Sequence, residues 1–130
     1  MKKKYFLLII FTLLLFLPLS GCVRHTHYWT VEVEVYNSTL KNCFINIDGR
    51  TEIISARTWK TFTINCSDSE VYCDLFEDYR YRYECYWDCK LYDSNIAGSG
   101  MNVLWEEDSV VQFKLYYNNT SNIVYLDRVY

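Results

Sequence analysis

Trp29-Thr30-Val31-Glu32-Val33-Glu34-Val35-Tyr36 alternates apolar and polar residues without a break. Successive side chains of an extended chain point to opposite faces, so Trp29, Val31, Val33 and Val35 share one face and Thr30, Glu32, Glu34 and Tyr36 the other. The period recurs downstream. Cys43, Ile45 and Ile47 repeat it, and Asp48-Gly49 supplies a hairpin turn into Thr51 to Ala56. Phe62, Ile64 and Cys66 face inward on the next strand. A polar run, Ser67-Asp68-Ser69-Glu70, is read as a turn that returns the chain through Val71, Cys73 and Leu75.

The longest alternating run follows. Tyr79, Tyr81, Tyr83, Cys85, Trp87, Cys89 and Leu91 point one way, and Arg80, Arg82, Glu84, Tyr86, Asp88 and Lys90 the other. Ala97-Gly98-Ser99-Gly100 reads as a loop. Beyond it, Val103 to Trp105 and Val111, Phe113 and Leu115 form two more strands around a turn at Glu106 to Ser109. The chain closes on Val124 and Leu126. About eight short strands, no apolar stripe of helical period and a single proline predict an all-β fold, an antiparallel β-sandwich spanning residues 29–130.

Upstream lies a leader. Lys2 to Lys4 precede an apolar stretch from Tyr5 to Leu17, and Pro18 breaks it before the small pair Ser20 and Gly21. As a helix those thirteen residues reach only about 20 Å, short of the ~30 Å hydrocarbon core of a bilayer. Ordinary signal-peptide cleavage wants small residues one and three positions before the cut. Leu19 spoils a cut before Cys22, and Pro18 spoils a cut before Gly21. Leu19-Ser20-Gly21-Cys22 instead resembles the lipobox of prokaryotic (bacterial or archaeal) lipoproteins. That resemblance implies a cleaved signal helix over residues 1–21. It also implies a diacylglyceryl thioether on Cys22, a tether over 22–28, and a location at the extracytoplasmic face of the cell membrane. A second likeness covers about a third of the chain. Val33-Glu34-Val35-Tyr36-Asn37-Ser38-Thr39, Phe44-Ile45-Asn46-Ile47-Asp48-Gly49 and Trp59-Lys60-Thr61-Phe62-Thr63-Ile64 resemble the opening strands of immunoglobulin-like sandwiches in prokaryotic envelope proteins. That likeness bears on fold rather than activity.

Three of the thirteen basic residues lie in the leader, so the mature part carries ten against sixteen acids, a formal charge of −6. Nucleic acid and anionic headgroups require a basic patch and are unsuitable partners. With Cys22 lipidated, five cysteines remain: Cys43, Cys66, Cys73, Cys85 and Cys89. Export favours disulfides over zinc at this spacing, with one thiol left over. A symmetric turn would set Cys66 opposite Cys73. On an extended strand Cys85 and Cys89 stand about 13 Å apart, beyond bridging reach. One of them then reaches Cys43, unless Tyr86-Trp87-Asp88 forms a tight turn that lets the two clamp each other.

Catalytic signatures are missing from the sequence. His25 and His27 form a His-x-His pair inside the expected tether, and no histidine follows to serve a Ser or Cys nucleophile. No metal or cofactor is expected. Tyr86, Tyr92 and Tyr116 fall on outward faces, as do Tyr28 and Tyr36, and tyrosine favours binding surfaces. Sequons at Asn37, Asn118 and Asn119 lie in expected turns, and a fourth at Asn65 lies in a strand. The expectation is a non-enzymatic, lipid-anchored envelope module that binds or stabilises a partner protein. The alternatives are a surface carbohydrate-binding module using outward aromatics and a thiol redox protein using Cys85 and Cys89.

Overall fold

The computed structural model describes residues 3–5, 9, 22–72 and 79–129. Its strands are β1 (Val23–Asn37), β2 (Cys43–Ile47), β3 (Arg50–Ile54), β4 (Trp59–Tyr72), β5 (Arg82–Leu91), β6 (Ala97–Trp105), β7 (Val110–Asn118) and β8 (Ile123–Arg128). The fold is all-β with eight strands, as the alternation predicts. The strands form one sheet in the order β3-β2-β5-β6-β8-β7-β1-β4, in which β1 pairs parallel with β7 and β6 parallel with β8. A single mixed sheet thus stands where two antiparallel layers were expected. Alternation dictates the face a residue takes and carries no information on the direction of the neighbouring strand.

Two compact units divide the chain: His27–Asp68 with Arg80–Tyr130, and Met1–Thr26 with Ser69–Tyr79. In the smaller unit the hydroxyls of Thr26 and Ser69 hydrogen-bond at 2.9 Å, and Lys3–Tyr5 and Ile9 are helical. Among the described residues no helix is long and apolar enough to cross a membrane. In the larger unit the sheet curls toward a barrel. Its two edge strands approach at the Lys60 ammonium of β4, 3.5 Å from the Glu52 carboxylate of β3.

One dry face fills that curl. Val31, Val33 and Val35, then Cys43, Ile45 and Ile47, then Phe62, Ile64 and Cys66 are buried, as are Cys85, Trp87, Cys89 and Leu91 of β5. Ile54 of β3, with Leu104, Val111, Phe113, Leu115, Val124 and Leu126, completes the core. Fully burying each large aliphatic side chain contributes on the order of 1.5–3 kcal/mol, which is why the inward set reproduces the apolar half of the alternation. The Asp48-Gly49 hairpin forms as expected. Both residues take positive φ, 51° and 81°, the signature of a two-residue turn that matches strand twist.

Three expectations fail, each because a partner strand overrides local composition. Residues 67–70 do not turn; they continue the 14-residue β4, whose neighbour β1 runs for 15 residues. The expected opposition of Cys66 and Cys73 loses its turn, and Cys73 lies outside the described residues. The expected tether 22–28 is mostly strand, since β1 begins at Val23. Ala97-Gly98-Ser99-Gly100 is also strand, opening β6. There the glycines answer to close approach. A Cβ on Gly98 would stand 2.0 Å from the Val124 carbonyl oxygen, and one on Gly100 would stand 3.0 Å from the Trp87 indole, its cross-strand partner.

At the end of the β1 alternation Asn37 faces inward and is 0% exposed. Its amide nitrogen donates to the carbonyls of Lys41 at 2.8 Å and Ile54 at 3.0 Å, and its Oδ1 accepts from the Thr39 backbone N–H and hydroxyl. Its backbone N–H donates to the Thr58 carbonyl, and its own carbonyl accepts from Arg57. Asn37 is therefore a buried joint between β1, the β1–β2 loop and the β3–β4 turn. This overturns its reading as a glycosylation acceptor, because no glycan fits on a nitrogen so enclosed.

Two stability measurements check this packing. Gly98→Ala is expected to destabilise by about 1–3 kcal/mol or more in urea unfolding, and Gly100→Ala by less, because backbone cannot yield as the Trp87 ring can. Asn37→Ala is expected to cost about 2–4 kcal/mol, since it leaves buried carbonyls and the Thr39 hydroxyl short of partners. Asn119→Ala, at an exposed loop position, is expected to change stability by no more than ~0.5 kcal/mol.

Candidate functional site

The outer face of β3, β2, β5 and β6 assembles residues far apart in sequence. Register sets Thr51 beside Asn46, Asn46 beside Asp88 and Asp88 beside Ser99, a polar row across four strands. On one side lies the row Ile53, Phe44, Lys90 and Ala97, and on the other Tyr86 faces Met101. The rows are two residues apart along each strand, roughly 7 Å, so the span from the Phe44 row to the Tyr86 row is about 13 Å. Ala97 and Ser99 are small, and Gly49 adds no side chain beside them. The surface therefore sinks into two adjoining shallow depressions that share Asn46, Asp88 and Ser99.

Aromatic rings bound this trough. Tyr86 is 62% exposed and Tyr92 59%, and Phe44 packs its ring 6.0 Å from that of Tyr92. The Tyr86 hydroxyl donates to Glu84 Oε2 at 2.9 Å, a bond that raises the phenol pKa and fixes the ring. Asn46 is held at both ends of its amide: Nδ2 donates to Thr51 Oγ1 at 3.1 Å and Oδ1 accepts from the Gly49 N–H at 3.2 Å. One amide hydrogen and one lone pair remain for a ligand.

The expected surface tyrosines divide. Tyr86 and Tyr92 border the trough, whereas Tyr116 lies on β7, stacked on Tyr125 at 5.6 Å and donating to the Asp127 carboxylate. Tyr36 packs its ring, tilted, 5.0 Å from that of Trp59, and Tyr28 stands exposed on β1. Asn46, Thr51, Asp88 and Ser99 carry no local signal of their own. Their outward parity was legible, and their alignment required the strand order.

His27 is packed rather than free on a tether. Its ring stacks on Tyr81 at 4.5 Å and Trp29 at 5.6 Å, with Nε2 3.4 Å from Glu106 Oε2. Beside it the Arg80 guanidinium covers the Trp105 ring at 3.8 Å and pairs with Glu107, whose carboxyl pKa that contact lowers. No group of three or more His, Cys, Asp or Glu among the described residues is arranged to hold a metal. Asn118 and Asn119 are exposed, and Asn118 Oδ1 caps the Thr120 N–H at 2.8 Å.

Cys43, Cys66, Cys85 and Cys89 are buried free thiols, so none of the four is bridged here, and Cys89 lies in hydrogen-bond contact with Cys43, the facing-strand neighbour expected for one of the β5 cysteines. Cys43 stands opposite Leu91, and Cys89 opposite Ile45, so the two are offset diagonally across β2 and β5. Cys85 and Cys89 share one face of β5, four residues apart on an extended strand, and no turn clamps them. This removes the geometry of a redox pair between them. Burial, with Asp48 nearby, pushes the Cys66 thiol up to about 11 and that of Cys85 up to about 12. A hydrogen bond with Cys43, then burial, raises Cys89. Cys22, just ahead of β1, is disulfide-bonded.

Comparison with protein families, with characterised proteins and with solved structures finds no match to this chain.

The thiols generate a pH dependence. Each holds its proton more tightly when folded, so above the ordinary thiol value of 9.0 the folded state binds more protons than the unfolded state. Stability contributed this way is complete below pH 9 and is lost as pH rises toward about 12. Urea unfolding measured across that range is expected to show a steady decline. A Cys66→Ala, Cys85→Ala variant is expected to decline less steeply, with Tyr83 retaining part of the slope because its bond to Asp48, 2.6 Å long, raises its pKa too.

Proposed function

We propose that this protein is a non-enzymatic, lipid-anchored binding module of the cell envelope. Cys22 holds it at the extracytoplasmic face of the membrane, and it engages a macromolecular partner there through the outer face of β2, β5 and β6. The observation that carries the reading is that face, where exposed aromatics flank a row of polar side chains. The side chains of Asp88, Lys90 and Ser99 on it make no hydrogen bond to another described residue, while a neighbouring amide, Asn46, is already oriented. The remaining chemistry supports binding over turnover. The described core thiols are buried and Cys66, Cys85 and Cys89 are held protonated, hence poor nucleophiles. The histidine beside Glu106 is stacked into an aromatic cluster. Protein and carbohydrate are the two ligand classes the sequence admits.

Anchoring rests on Leu19-Ser20-Gly21-Cys22, and the Cys22 sulfur has two competing fates, a thioether or the disulfide. The lipobox resemblance implies that diacylglyceryl transfer claims it before the leader is removed. Since β1 starts at Val23, the lipid would sit immediately ahead of the first strand.

Intact mass spectrometry of the membrane-extracted protein decides the point. The expected species begins at Cys22 and carries diacylglyceryl mass, and Cys22→Ser is expected to leave the protein unlipidated and its leader uncleaved. An unmodified Cys22 still in a disulfide in the mature chain would overturn the anchor.

A further inference from the structure

Resting on the reading of this face as the binding surface, we infer that its ligand is a neutral carbohydrate chain laid along the trough between Phe44 and Tyr86. A sugar ring offers two kinds of surface, hydroxyls around its edge and patches of polarised C–H on its faces. The trough answers both. Tyr86 and the Phe44–Tyr92 pair supply exposed aromatic rings, and the negative quadrupole of a ring face attracts polarised C–H groups. Between them run an amide, a carboxylate and two hydroxyls at Asn46, Asp88, Thr51 and Ser99, groups that together donate to and accept from vicinal hydroxyls.

Charge favours a neutral ligand. Asp88 and Lys90 are the two ionic residues lining the paired depressions apart from Asp48, and Asp48 is already bonded to Tyr83. One acid and one base two residues apart on β5 offset each other while Asp48 keeps its charge, so the lining carries one net negative charge, which repels a polyanion and is too small to select a polycation. A folded protein partner would demand a dry, apolar centre with aromatic anchors. Here the centre is the polar row and the apolar groups are the rims, the reverse arrangement. The floor follows the polar row across four strands, which suits an extended chain lying along it. Asn46 is fixed by Thr51 and Gly49, and Tyr86 by Glu84, so little ordering cost falls on binding.

The test uses the full-length protein, extracted in detergent, in affinity electrophoresis through gels containing a neutral β-glucan, mannan or galactan, with polyanionic alginate as the charge control. At least one neutral polysaccharide is expected to retard it. Tyr86→Ala and Asn46→Ala are expected to weaken that retardation at least tenfold. Ser99→Trp, which fills the middle of the trough from an exposed position, is expected to abolish it. Tyr116→Ala, on another strand, is expected to leave it unchanged. Thermal unfolding of each variant separates loss of the site from loss of the fold, and Ser99→Trp keeps the test decisive if Asn46→Ala fails to fold. Retardation by alginate alone, by none of the gels, or equally in the Tyr86 and Ser99 variants overturns the inference. A photo-crosslinker placed at Tyr86 in intact membranes distinguishes the failures. Capture of a defined protein with no polysaccharide binding leaves the face a binding surface and removes the carbohydrate, whereas capture of nothing removes both.

Discussion

Everything in this protein depends on one constraint: a curled sheet has a dry face and a wet face, and each strand must divide its residues between them with period two. β5 meets the constraint over its whole length. Its inward set, Cys85, Trp87, Cys89 and Leu91, is buried, and its outward set, Arg82, Glu84, Tyr86, Asp88 and Lys90, is exposed. With β2 on one side and β6 on the other, the same ten residues supply part of the core and the middle of the trough. A slip of one residue would put Asp88 and Lys90 in the core and Trp87 in water, so the register that stabilises the fold also builds the site.

The glycines of β6 extend the constraint to close packing. Gly98 leaves room for the β8 backbone at Val124, and Gly100 receives the face of Trp87. Their outward neighbours Ala97 and Ser99 are small, so β6 is thin on both faces. Inside, this lets strands approach; outside, it makes the depression. Asn37 is the polar counterpart. It occupies an inward position in the alternation of β1, and its burial is tolerable because the amide is bonded at both ends.

Much of this was legible from residue order. The parity of Val31, Val33 and Val35, of Cys43, Ile45 and Ile47, and of Val111, Phe113 and Leu115 gave strands and inner faces, because burial follows side-chain polarity directly. The Asp48-Gly49 turn was legible because its backbone conformation selects those residues. Pairing was not. Ser67-Asp68-Ser69-Glu70 and Ala97-Gly98-Ser99-Gly100 have loop composition, yet long-range partners hold both extended. The thiols show the same limit, since spacing cannot say that Cys43 faces Leu91 rather than Cys89. For the site, Tyr86 and Tyr92 were visible as outward aromatics. The row of Thr51, Asn46, Asp88 and Ser99 exists only through the register of four strands.

The partition of β5 is open to direct measurement by introducing single cysteines from Arg82 to Leu91 and exposing the folded protein to a bulky, charged thiol reagent. Modification is predicted at positions 82, 84, 86, 88 and 90. Silence is predicted at 83, 85, 87, 89 and 91 until denaturant is added. Uniform modification along the strand, or modification of the native Cys85 and Cys89 in the folded state, would contradict the two-faced strand on which both the core and the binding face rest.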